Sequence, residues 1–168
     1  MYTKDAMKMA SFCVLRGGSK KGSGKVLKQE VNIYREIQKN TEKAMRALDT
    51  IADKVFDEKL AVQISKQSLK YAEIRNLAYD KILEAKADPY RSTHVDNLKL
   101  TGGIQYNTLF NTSTSRIAEV MIKGSNMGIM EMNKVLNHNG EAGEQAVSLA
   151  NKLIEFEGKN IAQLTQYL

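Results

Sequence analysis

The chain has 168 residues, of which 42% are hydrophobic and 26% charged, with a net charge of +6 and a single proline. This length is enough for one sizeable hydrophobic core, so one domain with a tail is the simplest expectation. The single proline, the eight methionines and the lack of tryptophan predict an all-α protein, because proline breaks helices and methionine fills irregular gaps between them. One cysteine, Cys13, excludes an internal disulfide framework, and we expect a reducing, cytoplasmic location.

The positive charge belongs to the first 29 residues. Of the 25 basic and 19 acidic side chains, this segment holds seven and one, which leaves 18 of each sign for residues 30–168. A glycine- and serine-rich run over residues 17–25 predicts a flexible basic tail at residues 1–29. The tail side chains that could contact an anionic partner are Lys20, Lys21, Lys25 and Lys28. Salt-dependent docking of the tail on an anionic membrane or on nucleic acid is one alternative for the function.

Residues 30–168 are predicted to form a helical-bundle domain. Apolar residues recur at helical spacing in four stretches, from Val31 to Asp53, Leu60 to Ala85, Ile117 to Leu136 and Ala142 to Tyr167. A short connection near residues 53–57 predicts that the first two helices form an antiparallel hairpin. Residues 90–112 are expected to be a partly helical crossover that carries the chain back along the bundle. The asparagine- and glycine-containing run at 137–140 predicts a left-handed end for the third helix.

Two glycines lie on the predicted apolar stripe of the third helix. Gly124 and Gly128 are four residues apart. Met127 and the acidic Glu131 lie on the same stripe. Glycine lacks a side chain, so another helix can approach closely at these positions, at a cost of roughly 1 kcal/mol each in helix propensity. We therefore predict that Gly124 and Gly128 are helix-packing residues within the bundle.

Five polar residues lie on predicted apolar stripes: Thr41, Gln67, Glu131, Glu157 and Asn160. Burial of such groups is unfavourable unless they are paired, by roughly 1–3 kcal/mol for a neutral group and more for a charge. One interpretation is a hydrogen-bonded layer, or side chains that reach the edge of the bundle. The other is a polar pocket between the last two helices, in which Glu131, Glu157 and Asn160 bind a metal or a small ligand.

Three stretches carry a resemblance to a known family: Tyr34 to Met45 (YREIQKNTEKAM), Ser113 to Glu131 (STSRIAEVMIKGSNMGIME) and Leu153 to Leu168 (LIEFEGKNIAQLTQYL). From about Gln29 to the C-terminus, the chain resembles an uncharacterised family of small helical proteins from clostridia and related Firmicutes. The resemblance implies a bacterial, ferritin-like four-helix bundle and no assigned activity. In that family a histidine often follows the serine at position 115, whereas Arg116 follows it here.

A ferritin-like bundle raises the question of a di-iron centre. That site needs a Glu-x-x-His pair on each of two helices, because positions three apart present both side chains to the same ion. Arg91 stands three residues before His94, and Val135 stands three before His138, so neither histidine fits. We predict no di-iron centre, no other cofactor and no catalytic residue. The sequence favours a non-enzymatic, structural or interaction role, through self-association or a protein partner.

Overall fold

A computed structural model of the chain describes residues 20–92 and 112–168. The helices are α1 (Lys20–Ala52), α2 (Glu58–Glu84), α3 (Thr114–His138) and α4 (Glu144–Leu164), followed by a 3-10 turn (Thr165–Tyr167). No strand occurs in these two ranges, and the predicted all-α four-helix architecture is confirmed. None of the described helices combines the length and the apolar character needed to cross a membrane.

Helix α1 begins at Lys20, so residues 20–29, which the sequence assigns to a flexible tail, belong to the helix. Lys25 and Gln29 in this stretch contact the loop between α3 and α4. Lys25 Nζ lies 2.8 Å from Glu141 Oε2, and Gln29 Oε1 accepts a hydrogen bond from the Glu141 backbone N–H at 2.9 Å. The tether opposes the propensity cost of the glycines in this stretch, roughly 1 kcal/mol each. Residues 1–19 of the predicted tail lie outside the described residues.

The directions of the helices require a long connection between α2 and α3. Tyr34 of α1 lies near the charges of Lys81 and Glu84 at the end of α2, so these two helices are antiparallel. Asn32 of α1 donates to Asn139, just past the end of α3, at 3.1 Å, so α3 is also antiparallel to α1. Helices α2 and α3 therefore point the same way, and the end of α2 and the start of α3 lie at opposite ends of the bundle.

The first part of this connection lies against α1. Arg35 Nε donates to the backbone oxygen of Asp88 at 2.7 Å, and Arg46 Nη2 donates to Ser92 Oγ at 2.8 Å. The contacts advance along α1 as the chain leaves α2, so the chain has already turned back. Residues 93–111, which make up most of the predicted crossover, lie outside the described residues.

The helix ends agree with the sequence only in part. The Asp57 side chain accepts a backbone hydrogen bond at 2.8 Å and caps the start of α2. Among the described residues, Lys86, just after α2, has a positive φ of 53°. The sequence predicts a left-handed end for α3 at residues 137–140, and this prediction is wrong: Asn139 has φ −126°. The Asn139 side chain itself donates to the carbonyl of Val135 at 2.7 Å, so a left-handed cap is not needed there.

Branched aliphatic side chains dominate the core. Large side chains that are almost completely buried are Ile33, Ile37, Ile51, Leu60, Ile74, Ile82, Ile117, Met132, Leu153 and Leu164. They come from all four helices, so α1 to α4 share one core. Burial of such residues contributes roughly 1.5–3 kcal/mol each, and this shared core holds the polar residues described below in place.

The buried face of α3 overlaps only in part with the stripe that the sequence predicts, because it is rotated toward Ser125. Ser125 and Gly128 are buried, whereas Met127 is 60% exposed. Gly124 is exposed, and a Cβ there would have nothing within 4 Å among the described residues. Gly128 therefore lies at a close contact, and Gly124 does not have the packing role predicted for it.

Candidate functional site

A buried polar cluster joins α2 to α4. The Tyr71 hydroxyl donates to Glu157 Oε2 at 2.7 Å, and Asn160 Nδ2 donates to the Tyr71 oxygen at 3.3 Å. All three residues are at least nine-tenths buried. Glu157 and Asn160 are three residues apart, so they share one face of α4 and both reach Tyr71. The structure thus brings together two of the three residues of the predicted pocket.

Burial controls the acid–base behaviour of this cluster. It raises the pKa of the Glu157 carboxyl above its usual range, while hydrogen bonds with Ser125, Tyr71 and Asn160 lower that pKa in part. Burial also raises the pKa of the Tyr71 phenol well above its usual range, and the neighbouring Glu157 carboxylate raises it further. Tyr71 therefore stays protonated and serves as a hydrogen-bond donor.

Gly128 of α3 forms the opposite side of the cluster. A Cβ at this position would lie 3.2 Å from Asn40 Oδ1 and 3.3 Å from Glu157 Oε1. Asn40 is buried in α1, and its Nδ2 has no hydrogen-bond partner among the described residues. All four helices therefore contribute to the surroundings of the Glu157 carboxylate, with glycine leaving the space that the two oxygens occupy.

Glu131, the third residue of the predicted pocket, is not part of the cluster. Its carboxylate lies 3.6 Å from Lys43 Nζ, and both side chains remain 35% exposed. The rotation of α3 that buries Ser125 places Glu131 at the edge of the bundle, where its charge keeps contact with water. An ion pair this exposed contributes little to stability, about 0–1 kcal/mol.

Three residues of the cluster are not marked as site residues by the sequence pattern: Tyr71, Ser125 and Asn40. Tyr71 fits the apolar stripe of α2, and its hydroxyl was the available signal, since a buried tyrosine usually has a hydrogen-bond partner. Ser125 and Asn40 carry no comparable signal, because the local sequence around a buried serine or asparagine does not differ from that around an exposed one on a helix. Their burial depends on the rotation of α3 and α1 about their own axes.

The cluster supplies one carboxylate, one phenol, one serine hydroxyl and two amides, and this set suits hydrogen bonding better than metal binding. Over residues 20–92 and 112–168, no three His, Cys, Asp or Glu side chains lie close enough together to hold a metal ion. The Glu157 carboxylate has its neighbours as partners, which is the arrangement of a polar layer that fixes how helices pack.

The predicted anion-contact residues occupy the N-terminal part of α1. Lys20 and Lys21 lie in its first turn, and Lys28 is exposed. Lys25 forms an ion pair with Glu141, so its charge is partly compensated. The structure therefore places these four residues on a helix that is tethered to the bundle.

No protein-family model, curated protein or solved structure matches this chain.

Proposed function

We propose that this chain is a non-enzymatic helical-bundle protein that self-associates, and that a second copy binds to the outer face of α2. The observation that carries the proposal is an exposed apolar stripe with a seven-residue repeat. Val62, Leu69 and Leu83 occupy the first, second and fourth of four equivalent positions in a seven-residue repeat, with exposed fractions of 54%, 73% and 49%. They lie opposite the buried face of α2, so the rest of the described chain leaves them uncovered.

The repeat has the composition of a coiled-coil seam. Asn76 occupies the third equivalent position, and Ser65, Ala72 and Tyr79 lie three residues after Val62, Leu69 and Asn76. In a two-stranded coiled coil these are the a and d positions, and a single asparagine at an a position favours an in-register pair of parallel helices. A second copy of the chain, with its own Asn76 opposite, is therefore the partner that fits this stripe.

Charges beside the stripe support the same pairing. In a parallel pair, a residue just before an a position faces the residue five positions later on the other helix. Arg75 and Asp80 have this relation, so each Arg75 can pair with Asp80 of the second copy. The Arg75 side chain already lies on the stripe side of α2, with Nη2 3.0 Å from Asn76 Oδ1.

Leu69 is the side chain to change in a test of this proposal. It is the most exposed apolar residue of the stripe, and burial of a leucine contributes about 1.5–3 kcal/mol per copy. We expect the parent protein to be a dimer by sedimentation equilibrium and Leu69→Glu to be a monomer with unchanged helix content. Leu77→Glu is the matched control, because Leu77 is exposed on α2 but lies outside the stripe; it should remain dimeric. A parent that stays monomeric at the highest concentration reached, or equal effects of the two variants, would overturn the proposal.

We also propose that the bundle is ferritin-like. The parallel direction of α2 and α3, joined by a long connection, supports it. A bacterial origin rests on the resemblance described above, and a cytoplasmic location on the single cysteine. Docking through the basic tail remains an alternative prediction, and so does a metal or ligand site at the polar cluster.

A further inference from the structure

A groove runs between α2 and α4 beside the buried cluster. Its volume is about 390 Å³, within the roughly 300–1,000 Å³ of sites that bind small molecules. Asn160 belongs to both features, since it lines the groove and donates to Tyr71. The groove is thus set against a rigid, hydrogen-bonded wall.

Two amide groups in the groove lack partners. Gln67 is 4% exposed, and neither its Nε2 nor that of Gln63 has a hydrogen-bond partner among the described residues. The two glutamines are four residues apart, so their side chains lie next to each other on α2. A buried donor without an acceptor destabilises a protein. Both Nε2 atoms are almost inaccessible to solvent, so a turn of each side-chain amide toward the groove would bring it to an oxygen acceptor of a ligand and relieve this cost.

The charge and the walls of the groove restrict the ligand further. Lys59 and Lys66 line it, and none of the described residues that form its lining is acidic. Phe156 and Val62 supply an apolar surface next to the amides. The Phe156 ring is held in place by an edge-on contact with Tyr71, with 5.0 Å between ring centroids. The groove therefore offers cationic and amide donors together with an apolar wall.

From these contacts we infer that the groove between α2 and α4 is a binding site for a small organic carboxylate with an apolar body. The carboxylate oxygens accept from the side-chain amides of Gln63 and Gln67, the ammonium groups of Lys59 and Lys66 offset its charge, and the apolar body lies against Phe156. A monomer contains all of these residues, so the site does not require the proposed self-association, although Val62 belongs both to the groove and to the exposed stripe.

Titration of the full chain with benzoate or hexanoate, followed by NMR of the side-chain amide signals, tests the inference. We expect the Gln63 and Gln67 amide signals to shift and to saturate for at least one of the two acids. Hexanol lacks the charge and inorganic phosphate lacks the apolar body, so both should give much weaker shifts. Absence of saturable shifts with both acids, or equal shifts with hexanol, would overturn the inference.

Gln67→Leu separates a binding role from a structural one. Leucine has a similar size and no unpaired polar group, so the ligand-free variant should melt at the same temperature as the parent or higher. It should also lose the benzoate-induced shift of Gln63. Gln145→Leu is the matched control, because Gln145 is exposed on α4 and does not line the groove; it should bind as the parent does. If Gln67→Leu retains parental affinity, the assignment of the amide to the ligand is wrong.

Discussion

Tyr71→Phe is the most direct perturbation of the buried cluster, because it removes one hydroxyl and keeps the ring. The hydroxyl donates to Glu157 at 2.7 Å and accepts from Asn160 at 3.3 Å. A hydrogen bond to a charged group contributes about 1.5–3 kcal/mol, and the loss is at the upper end when the remaining partner is buried. We therefore expect the free energy of unfolding to fall by about 2–3 kcal/mol near neutral pH. For a chain of this size, that corresponds to a drop of roughly 5–10 °C in melting temperature.

The assay is urea unfolding followed by far-ultraviolet circular dichroism, with Tyr79→Phe as the control. Tyr79 lies on the same helix and is 39% exposed, so its hydroxyl should change the free energy by less than about 0.5 kcal/mol. A double-mutant cycle with Glu157→Gln isolates the pair and should give a coupling of about 1–3 kcal/mol. If Tyr71→Phe and Tyr79→Phe lose the same stability, the cluster does not have the energetic role derived from its geometry.

Gly124→Ala should raise the free energy of unfolding by about 0.5–1 kcal/mol, since a Cβ there meets nothing within 4 Å among the described residues. Gly128→Ala should be less stable than Gly124→Ala by about 1–3 kcal/mol, because its Cβ would lie 3.2 Å from Asn40 Oδ1 and 3.3 Å from Glu157 Oε1. Equal melting temperatures would contradict the close contact. Lys86→Gly should stabilise by about 1 kcal/mol in the same unfolding assay, because φ 53° favours glycine; no gain would contradict the strain. The raised pKa of Glu157 means that the folded state binds a proton more tightly than the unfolded chain. The free energy of unfolding should therefore decrease as pH rises from the usual glutamate range through the raised pKa. Glu157→Gln should remove this decrease, and a variant with the parent's pH profile would show that the carboxyl is not the cause.

Two residues of the buried cluster could be predicted from the sequence. Glu157 and Asn160 could be identified because polar residues on an otherwise apolar stripe of α4 are unusual, and both are buried as expected. Glu131 also lies on a predicted apolar stripe, but it is not part of the buried cluster, because it lies at the edge of the core-facing surface of α3. A small rotation of a helix changes which polar side chain is buried, and helical periodicity does not fix that rotation.

The extent of α1 illustrates a second limit of the local pattern. Glycine and serine content predicts a flexible segment before residue 30, and in isolation a helix there would be unfavourable. The helix extends to Lys20 alongside contacts with Glu141, which is more than a hundred residues away in sequence. Such a contact exists only after the α3–α4 loop has been placed against α1, so no local pattern can contain it.

The sequence by itself determined the helical class, the four main helices and the short connection between the first two, because the spacing of apolar residues is a local property. The tertiary structure decided the partners: Tyr71 with Glu157, Ser125 in place of Glu131, and the groove in which Gln63 and Gln67 remain unpaired. These depend on how each helix is rotated and on what lies opposite it. Packing of the whole bundle fixes both, since a buried side chain must satisfy neighbours from several helices at once.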